Sequence, residues 1–249
     1  MKWGQNFLID NSLAERQINY ASITKNDSVL EVGSGHGILT KKLSKKAKHV
    51  IAIEIDKKLI KDFENLDNVE LFHANVLELD LSTLKFNKVV SNLPYDIAAP
   101  FTFRMLEQKI DVAVLMYQKE FAERLVAKPG SKNYSRVTVA SFLKGKWQIL
   151  EHVPPEAFSP KPKVYSSLVR FIPSPSNLWI SDKQVLDKML RVLFSHRRKN
   201  IRNALLCEKI FSKELIDTLP YGDIKVDKLS PSMFIDMANR VVEYYGKKN

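Results

Sequence analysis

The sequence predicts an α/β fold, a mostly parallel sheet flanked by helices, followed by a small all-helical C-terminal domain. Three observations predict it. Short apolar runs of strand length recur through the first half of the chain, and several end in polar residues before a helical stretch. The first full strand runs into a glycine-rich turn, Gly33-Ser34-Gly35-His36-Gly37, of the kind that joins a strand to a helix where backbone must approach a ligand closely. Beyond Pro173 and Pro175 the pattern is helical throughout, which sets domains at 1–175 and 176–249.

Taken in order, residues 4–10 (GQNFLID) are polar and then apolar, and a helical pattern follows from Ser12 to Tyr20. Val29 to Val32 is a short strand that delivers the glycine turn, after which Ile38 to Ala47 has helix character. His49 to Ile53 is a second strand ending in Glu54, with Asp56 two residues later. A carboxylate there is placed to accept the hydroxyls of a nucleoside ribose. A third strand, Val69 to His73, ends in Ala74-Asn75-Val76, and a fourth, Lys88 to Ser91, delivers Asn92-Leu93-Pro94-Tyr95. A fifth apolar strand, Asp111 to Tyr117, precedes a helix over Lys119 to Val126 and a polar loop, Lys128 to Asn133. Trp147 to Val153 and Ser166 to Ile172 alternate as a closing strand pair. In the tail, Val185 to Phe194 and Phe234 to Tyr245 carry helical spacing, and Ser230-Pro231 is a helix start.

Composition narrows the function. The 249 residues carry a net charge of +11 with a pI near 9.5, which favours a polyanionic partner such as nucleic acid. No apolar run reaches membrane-spanning length, residues 1–10 lack a signal-peptide order, and the single Cys207 excludes an intrachain disulfide and fits a reducing cytoplasm. Five scattered histidines offer no metal-ligand spacing, so no metal is expected. The run Arg197, Arg198, Lys199 and Arg202 near a helix start suits the gripping of phosphates, whereas Lys41, Lys42, Lys45, Lys46 and Lys48 read more simply as a solvated face.

The chemistry concentrates at the carboxyl ends of the strands, where ligands bind in open α/β sheets. Asn92 and the backbone carbonyl of a proline-constrained turn aim two acceptors at one place, with the ring of Tyr95 alongside. That arrangement suits a planar amine such as the exocyclic nitrogen of adenine, held for attack while an aromatic side chain stacks on the base. The glycine turn lacks the dinucleotide pattern G-x-G-x-x-G, because Ile38 stands where its third glycine would be. Its acid-x-G-x-G-x-G form, Glu31 to Gly37, resembles the S-adenosylmethionine turn of class I (Rossmann-like) methyltransferases.

Through these motifs and others along it, the whole chain resembles the ribosomal RNA adenine N6,N6-dimethyltransferases, the small-subunit dimethyladenosine transferases. The matching stretches are GQNFL (4–8), EVGSGHG (31–37), NLPY (92–95), QKEFAERLVA (118–127), PPEAFSPKPKV (154–164) and LFSHRRKNIRNAL (193–205). The resemblance implies S-adenosyl-L-methionine as cofactor, with Gln5, Asn6 and Leu8 on its methionine and ribose side, Gly33 and Gly35 at its amino acid end, Glu54 on its ribose and Asn75 on its adenine. It implies Asn92, Leu93 and Pro94 at the target amine, with Tyr95 and Phe158 sandwiching a flipped adenine. Two positions depart from the family pattern: Asn75 stands where an Asp is usual, and Tyr165 where an acid is usual.

The implied reaction is dimethylation of two adjacent adenosines in the 3′-terminal hairpin loop of small-subunit rRNA during subunit maturation, by a cytoplasmic monomer acting on the immature small subunit. Two alternatives stay open. One is methylation of a single adenine in large-subunit rRNA, as in the macrolide-resistance relatives; the other is a mainly non-catalytic RNA-binding assembly or transcription factor.

Overall fold

The computed structural model describes residues 5–60, 66–174 and 178–246. Gly4 and the expected boundary at 175–176 lie outside them. The chain divides into two compact units, Met1–Glu123 with Gly145–Pro173, and Arg124–Lys144 with Ser174–Asn249. The second unit therefore takes an internal segment, residues 124–144, that the expected boundary at 175–176 assigns to the sheet domain.

In the first unit the strands, in chain order, are β1 (Phe7–Leu8), β2 (Ser28–Val32), β3 (His49–Glu54), β4 (Val69–His73), β5 (Lys88–Asn92), β6 (Val112–Gln118), β7 (Gly145–Val153), β8 (Phe158–Ser159) and β9 (Ser166–Pro173). Seven of them form one sheet in the order β4-β3-β2-β5-β6-β9-β7, parallel except for the β9 and β7 edge, while β1 and β8 pair antiparallel on their own. The expected strands are all present within two residues of their predicted ends. Their sequences are legible because β2, β3, β5 and β6 are buried along most of their length, so each reads as a nearly continuous apolar run.

The strand order reverses between β2 and β5. From β2 the chain winds outward through β3 and β4, then returns to β5 on the other side, so a crevice opens at the carboxyl ends of these two strands. Their pairing runs from Val29 with Lys88 to Leu30 with Val89, and beyond it Ser91 Oγ donates to the Val32 carbonyl to bridge the two strands. Helix α1 (Asn11–Tyr20) is capped by Asp10, whose carboxylate accepts from Ser12 N at 2.9 Å and Leu13 N at 3.0 Å. Its buried face carries Leu13, Ala14 and Ile18, and also Gln17, whose amide nitrogen donates to the Ser91 and Val114 carbonyls, both at 3.2 Å. Helices α2 (Thr40–Lys46) and α3 (Ala98–Met105) follow the glycine turn and the Asn92–Tyr95 turn in the chain.

Helix α4 (Lys119–Leu125) leads from the first unit into the second. The second unit holds α5 (Arg136–Phe142), α6 (Lys183–Ser195), α7 (Ile201–Glu208), α8 (Lys213–Thr218) and α9 (Pro231–Gly246). One apolar cluster joins them, and it includes Tyr134 and Val139 from the internal segment beside Leu190, Leu193, Phe234 and Val241 from the tail. The Tyr134 hydroxyl donates to the Leu229 carbonyl at 2.8 Å, which ties the two stretches of chain together.

Candidate active site

A pocket of about 250 Å³ lies in the first unit at the carboxyl ends of β2, β3, β4 and β5. Gln5, Asn6, Gly33, Gly35, Glu54, Asn75, Asn92, Leu93, Pro94, Tyr95 and Phe158 all line it. Residues from six separate stretches of sequence are thereby brought together, as expected of a site built at the switch point of a sheet.

The glycine turn forms one wall. Gly33 has φ +71° and a Cβ there would stand 3.0 Å from Pro94 Cδ; Gly35 has φ +55° and a Cβ there would meet the Phe7 ring at the same distance. Both residues thus need a left-handed backbone and the absence of a side chain. Gly33 packs the turn directly against the proline of the Asn92–Tyr95 turn, so the two are one surface.

Glu54 holds this turn in place. Its carboxylate is buried and accepts three backbone N–H groups, from Gly35 at 2.8 Å and from Ile55 and Asp56 at 2.9 Å each. Of about four lone-pair sites on a carboxylate, that leaves one. The expectation that Glu54 takes both hydroxyls of a ribose is therefore narrowed to a single strong bond. Beneath it Glu31 is fully buried, and burial pushes its carboxyl up to about 8, with the Glu54 charge adding to the effect.

In the same surface Asn92 Oδ1 is buried and has no hydrogen-bond donor among the described residues. A buried amide oxygen without a donor is costly, and it marks a place where an incoming N–H gains. Tyr95 is half-buried, which raises its hydroxyl pKa, and the hydroxyl sits 2.8 Å from Ser166 Oγ. Phe158 is nearly enclosed, held in β8 by its pairing with Leu8.

Two expected residues, Leu8 and Asn75, sit differently, and Tyr165 is the surface residue its departure from the family pattern suggested. Leu8 does not line the main pocket: strand alternation turns it into the core with Leu13 and Ala14, and its neighbour Phe7 faces the pocket instead. Asn75 lines the pocket, but its amide already caps its own turn, Oδ1 accepting from Leu77 N at 3.1 Å and Nδ2 donating to Glu78 at 2.7 Å. Tyr165 is exposed and outside the pocket; its backbone carbonyl accepts from Lys119 N at 2.9 Å. One supporting residue was not anticipated: Arg104 of α3 donates to the carbonyls of Val76, Leu77 and Leu79 and so fixes the loop that carries Asn75.

The basic run lies in the second unit. Arg197 is partly buried and donates to the carbonyls of Lys132 at 2.9 Å and Ser131 at 3.4 Å, with Asp227 at 4.0 Å. It braces a loop, a role the sequence did not suggest because its partners are some 65 residues away. Lys199 lies 2.9 Å from the Cys207 sulfur and Arg202 3.7 Å from Asp217, while Arg198 is exposed. Among the described residues no group of three or more His, Cys, Asp or Glu is placed to hold a metal ion.

The sequence profile of the ribosomal RNA adenine dimethylases matches residues 1–242. The chain belongs to this family. A relative from Methanococcus maripaludis strain C7, named "Probable ribosomal RNA small subunit methyltransferase A", is 45% identical over 210 residues, covering 82% of this chain and 80% of the relative. One of the same name from Methanopyrus kandleri is 42% identical over 229 residues, with 87% and 82% covered. Among solved structures, a dimethyladenosine transferase from Plasmodium falciparum superposes with a TM-score of 0.80 at 28% identity, covering 97% of this chain and 98% of that one. The 23S rRNA methyltransferase ErmE gives 0.70 at 26% identity, with 95% and 100% covered.

The cofactor of this dimethyltransferase is S-adenosyl-L-methionine. The residues present fit it: a cradle at Gly33 and Gly35 that a Cβ would fill, a buried carboxylate beside it, and a mainly apolar pocket with a few convergent polar groups.

Proposed function

We propose that this rRNA adenine dimethyltransferase modifies N6 of two adjacent adenosines in the 3′-terminal hairpin loop of small-subunit rRNA, acting as a cytoplasmic monomer on the immature small subunit. The observation that carries the assignment of the site is the buried Asn92 Oδ1, without a donor among the described residues, in a pocket walled by Tyr95 and Phe158. Small-subunit specificity draws support from the names of the archaeal relatives at 42–45% identity, against 26% for the large-subunit enzyme. No described helix is long and apolar enough to cross a membrane.

In this reading Gln5, Asn6, Gly33, Gly35 and Glu54 hold the cofactor, which when bound supplies a methyl group on a sulfonium, already a good leaving group. The protein's task is then positioning and electrostatics. Asn92 Oδ1 and the Leu93 carbonyl accept the two N–H bonds of the adenine amine, which frees its lone pair from the ring. Pro94 fixes that carbonyl, and Tyr95 and Phe158 stack on the base once it has left its own stack. No side chain need act as a strong base, since the alkylated nitrogen is acidic enough to lose its proton to water. The test is transfer of labelled methyl to immature small-subunit particles and to protein-free large-subunit rRNA, with mapping of the modified residues. Two adjacent N6,N6-dimethyladenosines in the small subunit are expected; label confined to large-subunit RNA would overturn the substrate, and no label in either would overturn catalysis.

A further inference from the structure

Tyr165 is 53% exposed, and among the described residues of the first unit it is the only aromatic side chain that is. Its hydroxyl and ring meet no hydrogen-bond partner, second ring or cation among the described residues. A lone exposed ring is ordinary on a protein surface, but the place of this one is not. Strand β9 runs antiparallel to β6, so its first residues stand at the same sheet edge as the carboxyl ends of β5 and β6, the edge that carries the pocket. Ser166, the first residue of β9, pairs with Gln118, the last of β6, and its Oγ lies 2.8 Å from the Tyr95 hydroxyl. Tyr165 is the next residue, about 3.8 Å away from Cα to Cα, and Lys119 N donates to its carbonyl at 2.9 Å.

The loop 160–165 is anchored at both ends in the walls of the base slot. It leaves from β8, whose Phe158 lines the pocket, and arrives at Ser166, which holds the hydroxyl of Tyr95. Pro160 and Pro162 each fix a backbone angle within these six residues, which limits how far the loop can wander. Tyr165 is thereby presented at the rim of the slot by a restrained backbone.

Drawing one adenine out of its stack strips the neighbouring base of a partner. An aromatic side chain replaces that partner, because every base has a π-face. The acid usual at this position in the family offers no such face and would repel a phosphodiester, whereas the tyrosine has a ring and no charge. We infer that Tyr165 is the stacking platform for the adenosine next to the one held between Tyr95 and Phe158, and that it favours targets with a purine beside them. The inference rests on the reading of two adjacent adenosines given above.

The test is single-turnover methylation of immature small-subunit particles at saturating cofactor, with the particle concentration varied. Tyr165→Ala should raise the concentration giving half the maximal rate by roughly 5- to 150-fold, the range for one stacked base, and leave the saturated rate nearly unchanged. Tyr165→Phe and Tyr165→Trp should behave as wild type. Ile172→Ala, an exposed residue near the far end of the same strand, should change nothing. A second measurement identifies the base: uridine replaces either one of the two adenosines, and methylation is read at the other. The smaller ring should weaken productive binding to wild type and cost Tyr165→Ala little. Calorimetric binding of S-adenosylhomocysteine should be the same in all of these proteins. A Tyr165→Ala protein with wild-type half-saturation, or a uridine penalty equal in both proteins, would overturn the role of Tyr165, while methylation of both adenosines by wild type would leave the substrate reading standing. Wild type that labels no small-subunit adenosine would overturn that reading, and this inference with it.

Discussion

Replacing Glu54 by Gln changes one atom type at the centre of the cofactor cradle. The carboxylate accepts from Gly35 on one oxygen and from Ile55 and Asp56 on the other. A glutamine keeps one acceptor oxygen and puts an NH₂ group on the other side, so whichever way it turns, at least one of these backbone donors faces another donor. The least disruptive orientation orphans Gly35, the residue whose left-handed backbone shapes the turn. A hydrogen bond to a charged group contributes about 1.5–3 kcal/mol, which corresponds to a roughly 10- to 150-fold rise in the Kd for S-adenosylhomocysteine. Calorimetry on the folded variant measures this directly. A second ligand separates the two routes by which Glu54 could act. If its remaining lone pair also takes a ribose hydroxyl, the 2′-deoxy or 3′-deoxy analogue should lose affinity for wild type and lose much less for Glu54→Gln. Equal losses in both proteins would mean that Glu54 serves the turn alone, and unchanged affinity for S-adenosylhomocysteine in the variant would refute the cradle itself.

Asn92→Ala should lower the single-turnover methylation rate at saturating RNA far more than it weakens RNA binding, because its oxygen gains most as the target nitrogen becomes positive; a full rate at saturating RNA would place the adenine elsewhere. Phe158→Ala should weaken productive RNA binding by roughly 1–3 kcal/mol, with Phe158→Tyr tolerated, as read from the RNA concentration dependence of the rate. Gly33→Ala should strain a left-handed residue by about 1–2 kcal/mol and push on Pro94, so both cofactor affinity and turnover should fall; titration and single-turnover assays on the same preparation would show a loss confined to one of them if the two turns were independent. Glu31 sets a pH dependence of stability. Its folded pKa of about 8 lies above the ordinary value of 4.5, so between these limits the folded state holds a proton that the unfolded state has lost, and stability falls as pH rises, by at most about 1.4 kcal/mol per pH unit. Glu31→Gln should flatten that slope in denaturant unfolding at pH 5, 6.5 and 8.

Much of the site was readable because its chemistry sits in contiguous turns. Asn92 to Tyr95 and Glu31 to Gly37 each fill the junction after a buried strand, where burial makes the strand an apolar run and leaves the turn conspicuous. What depended on distant partners was not readable. Helix α5 carries Val137 and Val139, β-branched residues of weak helix propensity, and is secured by the reciprocal capping of Ser135 and Thr138 and by packing in the second unit. Arg197 reads as a phosphate ligand in the sequence, yet its guanidinium donates to the carbonyls of Ser131 and Lys132, some 65 residues away. Phe7 and Leu8 are adjacent in sequence, and only the pairing of β1 with β8 decides which of them faces the pocket. Gln17 reads as the polar side of an amphipathic helix, yet it is enclosed because two strand carbonyls lie within reach of its amide.

The second unit is assembled from two stretches of chain separated by the last two strands of the sheet, with Tyr134 and Val139 of the first stretch in the same core as the tail helices. Grafting this unit between relatives therefore takes three junctions in the gene rather than one, at both ends of residues 124–144 and again after Pro173. A protein simply cut at Pro173 would keep the internal segment while losing the helices that cover it. Chimaeras joined only at the C-terminal boundary would bring together halves of two different cores, and evolution by exchange of this unit faces the same obstacle.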